Sequence, residues 1–178
     1  SRNNTYFLSR REFVDVKINA PEVLVKELSK KPKRGTILLG SVTDAYQPIE
    51  RRLKLTRRCL EVLAEFRNPV VIITKNELVT RDIDVLIELA HFNGILVFVS
   101  VTSLDGDLAR ELEPRASQPS RRLAAIEALS KAGVPAGVLL APVIPGLTDH
   151  EMPAIISAAA SAGAVAAGYV PLLLPYGV

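Results

Sequence analysis

Residues 70–101 read VVIITKNELVTRDIDVLIELAHFNGILVFVSV. Both ends, Val70–Thr74 and Ile95–Val101, are apolar runs of strand length. Between them a helical pattern runs from about Arg81 to Phe92, with Gly94 stopping it. Strands that are apolar on both faces suit a parallel sheet covered by helices. The segment therefore predicts one strand–helix–strand unit of an α/β fold.

The same alternation extends outward. Upstream, Phe13–Ile18 alternates with period two, as a half-exposed strand does. Asn19, with Pro21 in the first turn and Glu22 three residues on, predicts a capping box opening a helix to about Lys31. Thr36–Gly40 is a short apolar strand, and Pro48 opens a helix to about Phe66. Downstream come a short helix near Gly106–Leu112 and another from Pro119 to Ala132, closed by Gly133. Ala136–Val143 is a strand, Asp149–Ala162 a helix ended by Gly163, and Val165–Leu174 a last strand. This is βα five times and then a final strand. An open doubly wound sheet and a full or partial (β/α) barrel both satisfy it. No G-x-G-x-x-G follows any strand, which weighs against dinucleotide binding.

Composition bounds the function. The chain has 178 residues, 48% of them hydrophobic, enough for one sizeable core, and residues 1–178 read as a single domain. Charges or prolines interrupt every long apolar run, so no membrane span is expected. A lone cysteine, Cys59, excludes an internal disulfide and any multi-cysteine metal site, and fits a reducing cytoplasm. The sole methionine is Met152 and the chain starts at Ser1, so the sequence reads as a fragment or a processed chain. Net charge is only +3, and the Lys/Arg clusters at Lys30–Arg34, Arg51–Arg58 and Arg121-Arg122 read as solvated helix faces rather than a nucleic-acid patch.

Chemistry in such folds collects at the C-terminal ends of the strands. There the sequence places Ser41, Thr43, Asp44, Tyr46 and Glu50, then Lys75 and Asn76, then Ser100, Thr102 and Asp105 with Arg115 beyond. Val143 and Ile144 follow the next strand, and Tyr169 lies in the last. Each has a plain structural reading. Asp44 suits an Asx-turn, Asp149 a helix cap, Ser100 a core hydroxyl bonded to backbone, and Lys75 a solvated strand-end lysine. Tyr46 and Tyr169 suit packing, Cys59 a small core side chain, and His91 and His150 have no metal-like spacing.

One segment is more specific. Gly40-Ser41-Val42-Thr43-Asp44-Ala45-Tyr46-Gln47-Pro48-Ile49-Glu50, followed by Leu55-Thr56-Arg57-Arg58, resembles the signature of radical S-adenosylmethionine (SAM) proteins related to spore photoproduct lyase. That group includes proteins called DNA repair photolyases. The likeness continues through Thr74-Lys75, Ser100-Val101-Thr102, Glu113-Pro114-Arg115-Ala116, Arg121-Arg122-Leu123 and residues 141–149. It implies a partial (β/α)6 barrel, SAM, a 4Fe–4S cluster on three cysteines spaced C-x3-C-x2-C, and a flavodoxin- or ferredoxin-type reductant. Reductive cleavage of SAM would yield a 5′-deoxyadenosyl radical for a lyase-like reaction, with nucleic acid open as the substrate. The resemblance also implies that Thr43 and Asp44 accept from the SAM amino group, and that Lys75, joined by Arg115, pairs with its carboxylate. Ser100 would contact the ribose or carboxylate, and Val143, Ile144 and Tyr169 would border adenine. No catalytic residue and no metal ligand is assigned.

Two departures qualify the likeness. The cysteine motif is absent. The family's third cysteine precedes a stretch resembling Arg2–Leu8, so the chain is expected to lack the cluster loop and first barrel strand and to be inactive alone. Ser41 stands where spore photoproduct lyase carries a hydrogen-donating cysteine, and an O–H is a poor hydrogen donor to a carbon radical. That argues against thymine-dimer repair by the same route. Two other readings stay open: a non-catalytic homologue binding a nucleotide-like ligand, and a Schiff-base aldolase with Lys75 as nucleophile. An uncovered sheet edge would also favour edge-to-edge self-association, which a strictly monomeric sedimentation profile would overturn.

Overall fold

The computed structural model describes residues 16–30 and 35–173. Helix α1 (Ala20–Ser29) comes first, followed by strand β1 (Ile37–Leu39). Helices α2 (Glu50–Leu53) and α3 (Leu55–Glu65) lead to β2 (Val70–Thr74). Helix α4 (Ile83–Ala90) precedes β3 (Ile95–Ser100), and α5 (Gly106–Leu112) and α6 (Pro119–Lys131) precede β4 (Ala136–Val143). Helix α7 (Met152–Ser161) connects to β5 (Ala166–Pro171).

All four strand pairings are parallel, and the sheet order is β1-β2-β3-β4-β5. That order decides between the two architectures the sequence left open. A doubly wound sheet reverses its strand order at a switch point and carries helices on both faces. Here each strand lies beside its predecessor, and burial alternates along it. Val70, Ile72, Val97, Val99, Ala136, Val138 and Leu140 are buried in one core with Leu60, Leu63, Leu86, Leu89, Ile126, Leu129 and Ile155 of the helices. The residues between them, Val71, Ile73, Leu96, Phe98 and Leu139, are only half-buried, and Leu38 is exposed. Strand side chains alternate between faces, so one face is helix-covered and the other open, as in an arc of a (β/α) barrel.

Several sequence expectations need correction. Residues 13–15 of the expected strand Phe13–Ile18 lie outside the described residues, and Val16–Asn19 is coil and turn. Asn19 stands at the N-cap of α1 but makes no side-chain capping bond. Its intended partner Glu22 instead ion-pairs with Arg58 of α3 at 2.6 Å. The expected helix from Pro48 to Phe66 is broken at Lys54, which adopts a left-handed φ of 49°. The Glu50 carboxylate accepts the Leu55 N–H at 2.9 Å, restarting the helix as α3. Residues Glu77–Asp82 form a 3-10 turn before α4, because buried Asp82 is held by Arg81 and Arg57. Asn93, with φ 57°, makes the reversal assigned to Gly94. Asp149 accepts from the Gly146 and His150 N–H groups and caps no helix. Residue 174 of the last expected strand is also outside the described residues. No helix among the described residues is long and apolar enough to cross a membrane.

Gly40 begins the loop after β1 at φ +91°, and a Cβ there would overlap the Ile73 carbonyl oxygen of β2. Gly40→Ala is expected to lower stability by about 2 kcal/mol, since the left-handed conformation alone costs a non-glycine residue ~1–2 kcal/mol. Urea unfolding of the two proteins checks this.

Candidate functional site

The loop leaving β1 is tied to the end of β2 by one carboxylate. Asp44 Oδ1 accepts from the Tyr46 N–H at 2.8 Å and from the Thr74 hydroxyl at 2.7 Å. Its Oδ2 accepts from the Lys75 N–H at 2.7 Å. The Asx-turn reading of Asp44 is therefore real, and a carboxylate's fourth lone-pair position is left over. Behind this turn the Tyr46 ring is wholly buried, and its carbonyl accepts from the Asn76 side chain at 2.9 Å. The Tyr46 hydroxyl makes no hydrogen bond of good geometry, yet burial and then the nearby Asp82 carboxylate push it well above its usual 10. Thr43 is exposed in the same loop.

From Lys75 the contacts pass to the end of β3. The Lys75 ammonium pairs with Glu113, which also accepts from Arg122 at 2.6 Å and from the Thr102 hydroxyl at 2.9 Å. Arg122 is fully buried and donates further to the Ser117 and Ser100 carbonyls at 2.6 and 3.0 Å. Burial raises the Glu113 carboxyl, but Lys75 and Arg122 together outweigh that and hold it below its usual 4.5. Arg122 is thus no solvated helix-face arginine, contrary to the reading of the Arg121-Arg122 cluster. Glu113, Arg122 and Thr102 lie within the quoted motif segments, and their pairing is visible only in the fold. Only Thr102 follows a strand closely in sequence; Glu113 and Arg122 lie beyond α5 and within α6, so no local signal marks the three as a group.

The remaining candidates fall in three places. Ser100 is buried at the end of β3 and donates to the Ala141 carbonyl at 3.2 Å, the plain core-hydroxyl arrangement. At the end of β4 the Val143 carbonyl accepts the Leu172 N–H at 2.8 Å, and the Ile144 N–H is held by the Thr148 hydroxyl at 2.9 Å. Tyr169 pairs in register with core-facing Leu140 and is 66% exposed, so it stands on the helix side of the sheet. Tyr169, expected to border adenine, thus stands on the opposite face of the sheet from Ser100. On β5 it is Gly168, opposite Leu139, that shares the open face. Arg115 lies exposed in a separate groove with Arg51 and Arg121. What joins Asp44, Lys75 and Ser100 is a chain of hydrogen bonds across β1, β2 and β3, rather than one enclosed cavity. Among the described residues no His, Cys, Asp and Glu group is arranged to hold a metal ion.

This arrangement at the ends of parallel strands coincides with a family match. The sequence pattern of the Radical SAM superfamily fits residues 5–159. The chain belongs to the radical SAM superfamily. An uncharacterized protein of Mycobacterium tuberculosis is 37% identical over 154 residues, 85% of this chain and 45% of that protein. One from Methanocaldococcus jannaschii is 34% identical over 139 residues, 78% of this chain and 51% of that protein. The chain thus spans about half the length of the curated relatives it matches. Among solved radical SAM structures, Streptococcus suis SuiB bound to S-adenosylmethionine superposes with a TM-score of 0.68 at 15% identity, covering 94% of this chain and 37% of SuiB. A spore photoproduct lyase variant gives 0.66 at 17% identity, covering 88% and 46%. At those identities the likeness is one of fold, and it agrees with the barrel arc read from the sheet order.

Proposed function

We propose that this chain is the SAM-binding part of a radical SAM enzyme, with Asp44 and Lys75 holding the amino-acid end of SAM. The observation that carries the reading is their juxtaposition. The Asp44 carboxylate accepts the Lys75 backbone N–H at 2.7 Å, so the acceptor for an ammonium sits at the root of the residue whose own ammonium, paired with Glu113, is the donor for a carboxylate. A zwitterionic amino acid requires that pair. The Lys75 side chain is one-third exposed, so an incoming carboxylate reaches it by exchanging with Glu113. Thr43 lies beside Asp44 for the amino group, and the half-buried Val71, Ile73 and Phe98 offer an apolar floor for the adenosyl part. Bound SAM supplies the methionyl sulfonium whose cleavage starts the family's chemistry.

The residues of this chain do not fit the family's iron–sulfur cluster. That cluster needs three thiolates, whereas the sequence has only Cys59, half-buried on α3, with its thiol pushed up to about 11 by burial. Binding and orientation of SAM are thus what these residues contribute. The reduction step, its flavodoxin- or ferredoxin-type partner and a nucleic-acid substrate belong to this proposal at the level of the whole protein. A non-catalytic SAM-binding role, the alternative the sequence leaves open, would use the same two residues. The aldolase alternative is disfavoured, because Schiff-base chemistry needs a neutral amine and the Lys75 ammonium is ion-paired.

Equilibrium dialysis tests the proposal. The chain is expected to bind SAM, and Lys75→Met to weaken binding by about tenfold or more, the range for losing one charged hydrogen-bond donor. Absence of SAM binding, or equal affinity in the variant, would overturn it.

A further inference from the structure

A groove away from the Asp44 loop opens beside Asn76, the residue after Lys75. It is an open groove of about 470 Å³ lined by Pro48, Arg51, Asn76, Glu77, Arg115 and residues 116–118 and 121. Of the arginines elsewhere among the described residues, all but the exposed Arg52 are engaged. Arg57, Arg58, Arg81, Arg110 and Arg122 each pair with a carboxylate, and Arg67 stacks on the Phe92 ring. Arg51 and Arg115 have no acidic partner among the described residues, yet both line this groove, from α2 and from the segment before α6. Arg121 joins them, sharing its charge with Glu77 at 2.6 Å. Three guanidiniums against one carboxylate leave the groove with a net positive charge of two.

A second feature points the same way. The thirteen-residue helix α6 begins at this groove, and its N-cap residue, Gln118, makes no side-chain capping bond. The positive end of the helix therefore adds to the guanidiniums. Arginines placed around an open, wide groove suit a tetrahedral oxyanion, which each guanidinium can engage through two N–H groups.

We propose that this groove binds phosphate, and that Arg51 and Arg115 are its principal ligands. The inference needs only the groove and stands or falls apart from SAM binding at Asp44 and Lys75. It reassigns Arg115 from the SAM carboxylate to a second anion. The groove is open at the surface, so it admits the phosphate of a nucleic-acid backbone as readily as a free phosphate compound, and the test separates the two.

The intact chain is titrated against a short fluorescein-labelled single-stranded oligonucleotide by anisotropy across a salt series, and against inorganic phosphate and pyrophosphate by calorimetry. Arg51→Gln and Arg115→Gln are made singly and together, with Arg110→Gln as the control, since Arg110 is paired with Asp107 on α5 away from the groove. Both groove arginines are exposed and have no acidic partner among the described residues, so the variants should keep the wild-type unfolding midpoint. Oligonucleotide binding is expected to fall at least about tenfold in the double variant. Its salt dependence should become shallower by about 1.4 in log–log slope, roughly 0.7 for each lost phosphate contact on a single strand. Loss confined to the oligonucleotide supports a phosphodiester backbone; the same loss read with pyrophosphate supports a free phosphate compound. Unchanged affinity and slope in the double variant, or no binding of either probe by the wild type, would overturn the proposal. So would a fall in SAM affinity in the double variant, which would return Arg115 to the SAM site.

Discussion

Glu113→Ala is expected to be the most damaging single substitution in the site, lowering stability by about 3–5 kcal/mol, the usual penalty for stranding one partner of a buried ion pair. The reason is the burial of what it leaves behind. The Arg122 side chain is 1% exposed, and Glu113 is its only carboxylate partner among the described residues. Without Glu113 the guanidinium keeps the Ser117 and Ser100 carbonyls but has no counter-charge. Lys75, one-third exposed, can turn to water and loses less. Glu113→Leu combined with Arg122→Leu is expected to recover much of the loss, because replacing a whole buried pair by apolar side chains is often neutral. Urea unfolding of the three proteins measures this, and a Glu113→Ala midpoint equal to wild type would contradict it.

The same pair sets a pH dependence. Lys75 and Arg122 hold the folded-state Glu113 carboxyl below 4.5, so the folded protein binds fewer protons there than the unfolded chain. The resulting stabilisation is fully present above the unfolded value and is lost as pH falls through the folded one. Wild-type stability should therefore drop on acidification below about 4.5, and Glu113→Gln, which cannot titrate, should lack that part of the drop.

How far the sequence could be read depended on whether each feature was local. Strands β2, β3 and β4 were legible because their residues are apolar on both faces over a length too short for a helix, a property of the run itself. The position of Asp44 at a turn was legible for the same reason, since its bond to the Tyr46 N–H spans two residues. The break at Lys54 was not. Nothing in Leu53-Lys54-Leu55 forbids a helix, and the left-handed residue is sustained by the Glu50 carboxylate, itself held by Arg81 thirty-one residues beyond Glu50. Arg122 looked like a surface residue because its partner Glu113 precedes it by nine residues across a loop, and only the fold brings the two together. The side on which Tyr169 stands depends on its register against β4, where it pairs with Leu140, the last pair before the register shifts. A one-residue slip moves every side chain to the opposite face.

Asp44→Ala is expected to show that structure and ligand binding converge on a single carboxylate. Its removal strands the Tyr46 N–H, the Thr74 hydroxyl and the Lys75 N–H together, and Thr74 is 1% exposed, so water cannot readily replace the lost acceptor. A stranded buried donor costs ~1–3 kcal/mol, so a loss of about 2–4 kcal/mol is expected, partly relieved where the loop opens to solvent. Asp44→Asn separates the two roles. Its amide oxygen can still accept from Tyr46 and Thr74, but its NH2 group faces the Lys75 N–H, donor against donor. The asparagine variant should therefore keep most of the stability while losing the negative charge that an ammonium would seek. If Asp44 serves the amino group of SAM, Asp44→Asn should weaken SAM binding by about tenfold or more, the weight of one charge-assisted hydrogen bond. Were the residue only a turn former, SAM affinity would follow the unfolding midpoint and recover fully in the asparagine protein. Dialysis beside urea unfolding of the same two variants distinguishes these outcomes, because a turn former moves both quantities in proportion and a ligand contact does not.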